Sequence, residues 1–229
     1  MTKTLIALAL MAGAAAAQAA PITLFSDNFD GAQTTAAGVT AAWSGITTTG
    51  SGGAMVGFSG NFLWNKSMRQ ASTLTLGGLS GYSNINVAFR LAFVDSWDGT
   101  TGSPAPDYFN VSIDGDGVLQ LTCNNASGAF CDNGPGTNAS AFANVFNSGW
   151  AELTRDVAVS RALTGASASI TFTAAGAGWQ AGDDESWAID NVVVTGEART
   201  PTGNVPEPGA LALVGIALAG LALTRRRAR

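Results

Sequence analysis

The sequence contains no histidine, and only 12% of its 229 residues are charged. Without histidine, Ser-His-Asp and Cys-His catalysis are excluded, and so are the imidazole ligands on which most zinc sites depend. Basic residues are also scarce, with 11 Lys and Arg against 16 Asp and Glu. Between residues 20 and 203 there are six basic and fifteen acidic residues. Because phosphate binding needs a basic surface, this acidic middle part argues against a nucleic-acid partner.

The N-terminal residues 1–19 are typical of a secretory signal peptide. Lys3 supplies the positive charge, Leu5–Ala17 form the apolar stretch, and Ala17-Gln18-Ala19 is an A-x-A cleavage site. The sequence therefore predicts export through the Sec translocon, with the leader removed after Ala19.

The two cysteines, Cys123 and Cys131, lie close together in the sequence. An even number of cysteines in an exported chain predicts a disulfide, which here would close a short loop. Two unpaired thiols are the alternative.

The body of the chain consists of short apolar runs separated by Gly, Asn, Ser and Thr, which is typical of strands joined by turns. The clearest strand spans Ile85–Val94, where odd positions are large and apolar and even positions are mostly small or polar. A strict period of two over this length excludes a helix. Asp114-Gly115 lies between two alternating runs and predicts a hairpin.

These patterns predict nine or ten strands and no helix within the body. The fold class that follows is all-β: an antiparallel β-sandwich of two sheets, of the jelly-roll type, over residues 20–195. Residues 196–204 form a short polar linker, which is a natural domain boundary. Residues 205–229 form a separate C-terminal segment.

The C-terminal segment begins with Val205, Pro206, Glu207 and Pro208, where the prolines fix φ and keep the backbone extended. A long apolar run follows, and we expect a transmembrane helix over about residues 209–224, barely long enough to span a bilayer. The basic tail 225–229 would stay on the cytoplasmic side. A buried C-terminal helix does not fit, because the run is apolar on all sides and ends in arginines.

The segment resembles a PEP-CTERM sorting signal in all its parts: the Val-Pro-Glu-Pro motif, the apolar helix and the cluster of Arg225, Arg226 and Arg227. The resemblance implies recognition by an exosortase, a membrane transpeptidase of Gram-negative bacteria that often make extracellular polysaccharide. It implies a transient stay in the inner membrane, removal or exchange of the tail near Pro206–Pro208, and delivery to the cell surface. It implies nothing about the body, because unrelated bodies carry such tails.

Acidic residues gather at three places in the body. They are Asp27 and Asp30 after the first strand; Asp95, Asp98 and Asp107 around the loop after the clearest strand; and Asp183, Asp184, Glu185 and Asp190 near the last strand. Because the first and last strands of jelly-rolls commonly pair, we expect Asp27 or Asp30 to approach Asp184 or Asp190. Carboxylate oxygens are the ligands that Ca²⁺ prefers. The alternative is that these side chains cap turns through hydrogen bonds.

The last strand reads Trp187-Ala188-Ile189-Asp190-Asn191-Val192. It resembles secreted jelly-roll modules of the carbohydrate-binding and MAM-like kind, which often hold a structural cation beside this aspartate. The resemblance implies a structural cation beside Asp190. Together with the expected pairing of the first and last strands, it leads us to expect Ca²⁺ at Asp27, Asp30, Asp184 and Asp190, and we expect no other cofactor.

Six tryptophans stand in the body, of which Trp97 and Trp179 lie in loops rich in Gly and Asp. Exposed rings there would stack on sugars, with Asp95, Asp98 and Asp107 accepting hydrogen bonds from sugar hydroxyls. The alternative is that tryptophans seal the core of the sandwich. That alternative is the expectation for Trp43, Trp64, Trp150 and Trp187.

Catalysis has a weaker basis. Paired carboxylates suffice for glycoside hydrolysis, and the candidates are Asp95, Asp98, Asp107, Asp184 and Glu185. No hydrolase motif appears, however, and no catalytic residue is assigned. We therefore expect a non-catalytic surface protein that associates with extracellular polysaccharide. A carboxylate-dependent glycan hydrolase and a purely structural matrix protein are the alternatives.

Overall fold

The computed structural model describes residues 20–50, 55–66, 70–100, 103–125, 130–131, 153–180, 184–199 and 214–218. The chain divides into two units between Arg199 and Thr200. In the described residues the first unit is built of strands, and the second is a helical segment at residues 214–218. The predicted signal peptide, residues 1–19, lies outside this range.

Fourteen strands occur in the described part of the first unit. In chain order they are β1 (Ile22–Asp27), β2 (Thr34–Thr35), β3 (Thr40–Ser44), β4 (Thr48–Thr49), β5 (Phe62–Asn65), β6 (Ser72–Gly77), β7 (Tyr82–Asp95), β8 (Asp107–Ile113), β9 (Asp116–Leu121), β10 (Cys123–Asn124), β11 (Phe130–Cys131), β12 (Leu153–Ala162), β13 (Ser167–Gly176) and β14 (Glu185–Ala198). The count exceeds the expected nine or ten because β2, β4, β10 and β11 have two residues each. Strands so short leave no periodic pattern in a sequence.

Two antiparallel sheets form the body, which confirms the predicted all-β sandwich. The first sheet has the order β12-β7-β14-β1-β2, and β5 joins it at β14 with β4 beyond. The second sheet has the order β3-β6-β13-β8-β9. The first and last strands pair as expected, with Asp27 opposite Val192.

Strand β7 explains why the sequence pattern was informative. Its residues Ile85, Val87, Phe89, Leu91 and Phe93 are buried and face the second sheet as part of the main core. Each such side chain contributes about 1.5–3 kcal/mol on burial. The ring of Phe172 on β13 packs edge-on against Phe89 at 5.2 Å. The period-two pattern therefore marks the face that holds the two sheets together.

A second apolar layer covers the other face of the first sheet. Met55, Phe58 and Phe62 pack there against Ala92, Val94 and Ala188. As a result, β7 and β14 are buried on both faces over part of their length. This layer places residues 55–62 over the middle of β14.

The described residues include the start of the predicted linker and the predicted disulfide. Strand β14 runs to Ala198, because Gly196, Glu197 and Ala198 pair with β7. The first three residues of the predicted linker 196–204 thus belong to the sheet. The predicted disulfide is present, joining Cys123 to Cys131 across the β10–β11 pair.

The C-terminal prediction falls mostly outside the described residues. This applies to Val205, Pro206, Glu207, Pro208, Arg225, Arg226 and Arg227, and to most of the predicted span 209–224. Residues 214–218 within that span are helical and exposed. The part of the chain that the structure describes includes no helix with the length and hydrophobicity of a membrane span.

Candidate functional site

Three carboxylates converge between the two sheets at one end of the sandwich. Asp107 begins β8 in the second sheet and shares its buried face with Phe109, whereas Glu185 begins β14 in the first sheet and shares its face with Trp187. Asp98 lies in the loop that leads from β7 to β8. These three, which we call the inter-sheet cluster, each offer an oxygen within 4.8 Å of the others.

Main-chain hydrogen bonds hold the inter-sheet cluster in place. The Asp98 N–H donates to Asp107 Oδ2 at 2.7 Å, and the Asp107 N–H donates back to the Asp98 carbonyl at 2.9 Å. The Gln180 N–H donates to Glu185 Oε2. The other oxygens, Asp107 Oδ1 and Glu185 Oε1, have no hydrogen-bond partner among the described residues. Both side chains are 0% exposed, so these two oxygens are also shielded from solvent.

The electrostatics of the inter-sheet cluster follow from burial and from repulsion. Burial is the largest effect and raises the pKa of Glu185 to about 8, with the Gln180 N–H acting in the opposite direction. Burial likewise raises the pKa of Asp107 to about 6, and it raises the pKa of Asp98. The neighbouring carboxylates raise all three pKa values further. Burial and repulsion between the carboxylates therefore both disfavour the ionised form of this cluster.

Asp184 and Asp95 flank the inter-sheet cluster but are bonded to other groups. Asp184 Oδ1 accepts from the Ser96 hydroxyl, and Asp184 Oδ2 accepts from the Gln180 amide. Asp95 Oδ2 accepts from the Ser186 hydroxyl at 3.3 Å. The structure therefore places Asp184 beside Asp98 and Asp107, and not with Asp190 as the sequence had predicted.

A second group of carboxylates, Asp27, Asp30 and Asp190, lies where β1 meets β14, and we call it the turn cluster. Their proximity affects the pKa of Asp190. Burial is the largest cause that raises this pKa, and the charges of Asp30 and Asp27 raise it further. The predicted approach of the first-strand aspartates to Asp190 is thus seen. Asp190 itself is fully buried beneath residues 55–62.

In the turn cluster, unlike the inter-sheet cluster, donors bond to both oxygens of each carboxylate. Asp190 accepts from the main-chain N–H groups of Ser59 at 3.1 Å and Asn191 at 2.7 Å. Asp30 Oδ1 accepts from the Asn61 N–H at 2.6 Å. A side chain at Gly60 would stand 1.9 Å from that oxygen, so the glycine is what allows the close approach.

Asp27 completes the pattern of the turn cluster. Its Oδ1 accepts from the Phe29 N–H at 2.8 Å, and its Oδ2 accepts from the Trp43 indole N–H at 3.0 Å. Each carboxylate of the turn cluster therefore accepts at least one N–H group. This is the arrangement of the turn-capping alternative.

The two loop tryptophans are buried. Trp97 is 0% exposed and Trp179 is 7% exposed. Their rings meet edge to face at 5.1 Å, and the Trp97 indole N–H donates to the Ser186 carbonyl at 2.7 Å. The exposed ring faces that stacking on a sugar requires are not present at either position. Burial of this kind is the core-sealing role that was the alternative for both.

An open groove lies along β4 and β5 instead. Its volume is about 390 Å³, and it is lined by Gly45, Thr47, Thr48, Thr49, Trp64, Asn65, Lys66 and Gln70. Trp64 is half-buried, and its indole N–H donates to the Ser186 hydroxyl at 2.8 Å. The Lys66 ammonium lies over the ring at 4.1 Å from its centroid, a cation–π contact. The groove thus combines an aromatic face, one positive charge and several hydrogen-bonding side chains.

Three residues of these sites, Glu185, Trp64 and Lys66, were not assigned to them from the sequence. Glu185 was named in the acidic cluster near the last strand and as a catalytic candidate, but not among the Ca²⁺ ligands, although its spacing of two from Trp187 on an alternating strand indicates the same inward face. Trp64 was assigned to the core because Phe62 and Leu63 beside it are apolar. The spacing of two between Trp64 and Lys66 is the signal that places them on one side of the chain.

Comparison with known protein families matches residues 204–227 to the PEP-CTERM protein-sorting motif. The resemblance stated for the tail is thereby confirmed. The chain carries the signal of an exported protein that is sorted at the membrane by exosortase-type machinery. None of the curated proteins matches the chain.

Among solved structures, the body is similar to the catalytic domain of GH87 alpha-1,3-glucanase in complex with tetrasaccharides, at a TM-score of 0.30 and 12% identity, over 75% of this chain and 30% of that one. It is also similar to the enzymatically active domain of tailspike protein 4 of bacteriophage CBA120, at a TM-score of 0.31 and 13% identity. That match covers 69% of this chain and 19% of the tailspike chain. This chain therefore spans less than a third of either relative. Scores of this size carry no statement about its ligand or activity.

Proposed function

We propose that the protein is a non-catalytic surface protein whose sandwich associates with extracellular polysaccharide through the groove along β4 and β5. The observation that carries this proposal is the composition of the groove around Trp64. Sugar rings combine apolar faces with many hydroxyls, so an indole beside threonine, amide and ammonium groups matches them chemically. Export by the Sec translocon and removal of the tail by an exosortase would bring this groove to the matrix.

The position of Lys66 narrows the class of polysaccharide. Its ammonium lies over the Trp64 ring, 4.1 Å from the centroid. A neutral sugar that stacked on the ring would displace the Lys66 ammonium from it and would offer no negative charge to pair with the ammonium. A uronic acid or another acidic sugar offers a carboxylate that pairs with Lys66 while its ring stacks on the indole. We therefore expect acidic polysaccharides to bind more tightly than neutral ones.

The binding test is affinity electrophoresis of the protein through gels that contain neutral or acidic polysaccharides. We expect retardation by at least one acidic polysaccharide, and loss of about tenfold in affinity in the double variant Lys66→Ala/Gln70→Ala. Gln120→Ala is the matched control, because Gln120 is exposed on β9 and lies outside the groove. Trp97→Phe should also leave binding unchanged. Retardation by none of the polysaccharides would favour a purely structural matrix protein.

Glycan hydrolysis is the second candidate, and one observation favours it. The pKa values of Asp107 and Glu185, about 6 and about 8, lie where a general acid works. Against this, both side chains are 0% exposed, and a glycosidic oxygen must touch the acid that protonates it. Release of reducing sugar by the wild type, lost in Glu185→Gln, would replace the binding proposal with hydrolysis.

The fate of the tail has its own test. By its resemblance to the sorting motif, the tail is cut near Pro206–Pro208 and the mature protein ends there. Mass spectrometry of the surface-exposed form should therefore find no peptide that contains residues 225–229. In the variant Pro206→Ala/Pro208→Ala the tail should persist. An intact Arg229 in the surface-exposed wild type would contradict processing.

A further inference from the structure

We infer that the inter-sheet cluster of Asp98, Asp107 and Glu185 binds one Ca²⁺ ion, which ties the two sheets together. The sequence had placed Ca²⁺ at Asp27, Asp30, Asp184 and Asp190, so this is a different site. The inference does not depend on polysaccharide binding.

The first support is geometric. The oxygens offered by the three carboxylates all lie within 4.8 Å of one another. Two ligands on opposite sides of one Ca²⁺ are about 5 Å apart, since Ca²⁺–oxygen distances are ~2.3–2.6 Å. Separations of this size are compatible with a single ion that contacts an oxygen of each carboxylate. The two sheets contribute one ligand each, through Asp107 on β8 and Glu185 on β14, and the loop between β7 and β8 contributes the third.

The second support does not depend on the distances between the carboxylates. It concerns two buried oxygens that lack a hydrogen-bond partner. Asp107 Oδ1 and Glu185 Oε1 are buried and have no hydrogen-bond partner among the described residues. Leaving a buried polar atom without a partner is destabilising, and more so for a charged group. A cation between the carboxylates would satisfy both oxygens at once, whereas one hydrogen-bond donor would satisfy only one.

The surroundings of the inter-sheet cluster offer no compensating charge of their own among the groups that affect it. The charge effects on Asp98, Asp107 and Glu185 come from carboxylates. Among the basic side chains of the described residues, Arg90 is paired with Asp156 and Arg161 with Asp116. Arg199 donates to main-chain carbonyls and Lys66 lies over Trp64. Arg155 is buried, and like the others it is not among the groups that shift the pKa values of the cluster. Buried charges in proteins are normally paired or bound to metal. Because the charges that act on the cluster are those of carboxylates, a divalent cation is the partner that the chemistry indicates.

Gly178 keeps the space beside Asp107 open. A Cβ at this position would stand 3.0 Å from Asp107 Oδ1 and 2.8 Å from the main chain of Ala105. Any larger residue would therefore press on the unpartnered oxygen and on the loop that leads into β8. The glycine therefore leaves Asp107 Oδ1 free of a close side-chain contact at this position.

The chemistry of the ligands selects the ion. Oxygen ligands alone exclude soft metals, and the chain has no histidine and has both cysteines in a disulfide. Mg²⁺ requires ligands at ~2.0–2.1 Å in a strict octahedron, while Ca²⁺ accepts wider and less regular sets of six to eight oxygens. Main-chain carbonyls or water would supply the oxygens beyond these carboxylates. We therefore expect Ca²⁺ to bind more tightly than Mg²⁺.

The experiment measures thermal unfolding and calorimetric binding on the full chain in mild detergent, after treatment with a chelator. Adding CaCl₂ should raise Tm by on the order of 5 °C, because an ion that binds only the folded state stabilises it. Calorimetry should give about one ion per chain, and MgCl₂ should produce a smaller shift. Glu185→Gln and, as a second variant of a half-buried residue, Asp98→Asn should each lose most of the Ca²⁺ shift.

Asp30→Asn is the matched control, because it removes one carboxylate from the turn cluster and leaves the inter-sheet cluster intact. It should retain the full Ca²⁺ shift. The inference is overturned if Ca²⁺ neither shifts the wild-type Tm nor produces heat of binding. It is equally overturned if Asp30→Asn loses the shift while Glu185→Gln keeps it, since the ion would then lie in the turn cluster. Should Glu185→Gln not fold, Asp98→Asn and the wild-type stoichiometry still decide the question.

Discussion

The two carboxylate clusters of this sandwich use the same side chains in opposite ways. In the turn cluster, Asp27, Asp30 and Asp190 each accept main-chain or indole N–H groups. In the inter-sheet cluster, Asp107 and Glu185 each keep one buried oxygen without a partner. Both clusters lie along β14, at Asp190 in one case and Glu185 in the other. Each carboxylate of the turn cluster has a donor on both oxygens, whereas Asp107 and Glu185 have a donor on only one, and this is what separates the two clusters.

The source of the donors explains the difference. The turn cluster lies against turns and loop ends, where main-chain N–H groups are not used by a neighbouring strand. Asn61 and Ser59 belong to such a segment, beside Gly60 with its φ of +52°. The inter-sheet cluster instead points into the gap between the sheets. Asp107 and Glu185 each accept one main-chain N–H there, from Asp98 and Gln180, and the second oxygen of each has no donor among the described residues.

The largest effect is expected from Asp190→Ala. The change leaves the N–H groups of Ser59 and Asn191 without their acceptor beneath a packed layer. Each buried N–H group that loses its acceptor costs about 1–3 kcal/mol, so the free energy of unfolding should fall by on the order of 3 kcal/mol. Chemical denaturation measures this difference. A loss below about 1 kcal/mol would mean that the turn cluster does not depend on these bonds.

In the presence of chelator, we expect Glu185→Gln to stabilise the folded protein, whereas Asp190→Ala destabilises it. The amide has nearly the same shape and removes a charge that burial and Asp107, Asp184 and Asp98 all disfavour. The variant should therefore unfold at a higher temperature than the chelated wild type at pH 8, by on the order of a few degrees. Adding Ca²⁺ should reverse the order of the two proteins. A lower Tm of the variant in chelator would show that Glu185 is stabilised as an anion by something other than a metal.

A pH series in chelator tests, without a mutation, whether ionisation of the inter-sheet cluster destabilises the metal-free protein. The pKa of Glu185 rises from 4.5 to about 8 on folding, and that of Asp107 rises from 3.8 to about 6. Between these values the folded state binds more protons than the unfolded state, so stability falls as pH increases. The fall should begin near pH 4, continue to about pH 8 and then level off.

Two controls sharpen the pH series. Glu185→Gln should remove the part of the fall above about pH 6, where Asp107 has already lost its proton. Saturating Ca²⁺ should also reduce the fall, because the ion replaces the proton as the partner of the carboxylates. A wild-type Tm in chelator that stays constant from pH 4 to pH 8 would contradict the contrast between the clusters.

The sequence predicted those features that depend on local pattern. The alternation along Ile85–Val94 identified β7 and its inward face, and the spacing of Cys123 and Cys131 identified the disulfide. The tail was identified by its motif and by the order of its parts. The expectation that the first and last strands pair brought Asp27 and Asp190 together correctly. Each of these signals is carried by a few neighbouring residues or by a common topology.

The roles of the acidic residues could not be predicted in the same way. Whether a carboxylate is capped or left unpartnered depends on N–H groups from distant segments, such as Ser59 for Asp190. Asp184 was grouped with Asp190 because the two are close in sequence, yet its bonds to Ser96 and Gln180 place it with the inter-sheet cluster. The loop tryptophans were misleading for a related reason. A loop rich in Gly and Asp can fold inward and bury its rings, as Trp97 shows.

The smallest effect is expected from Asp30→Asn. Asp30 is exposed, and its amide counterpart retains an oxygen that accepts the Asn61 N–H bond. Solvent screens the lost charge, so the free energy of unfolding should change by less than about 0.5 kcal/mol. Denaturation with and without Ca²⁺ measures this change. If the turn cluster is organised by N–H groups, loss of charge matters little there, whereas the same loss at Glu185 changes both stability and Ca²⁺ binding. A large effect at Asp30 would instead place a charged partner, and with it the metal, in the turn cluster.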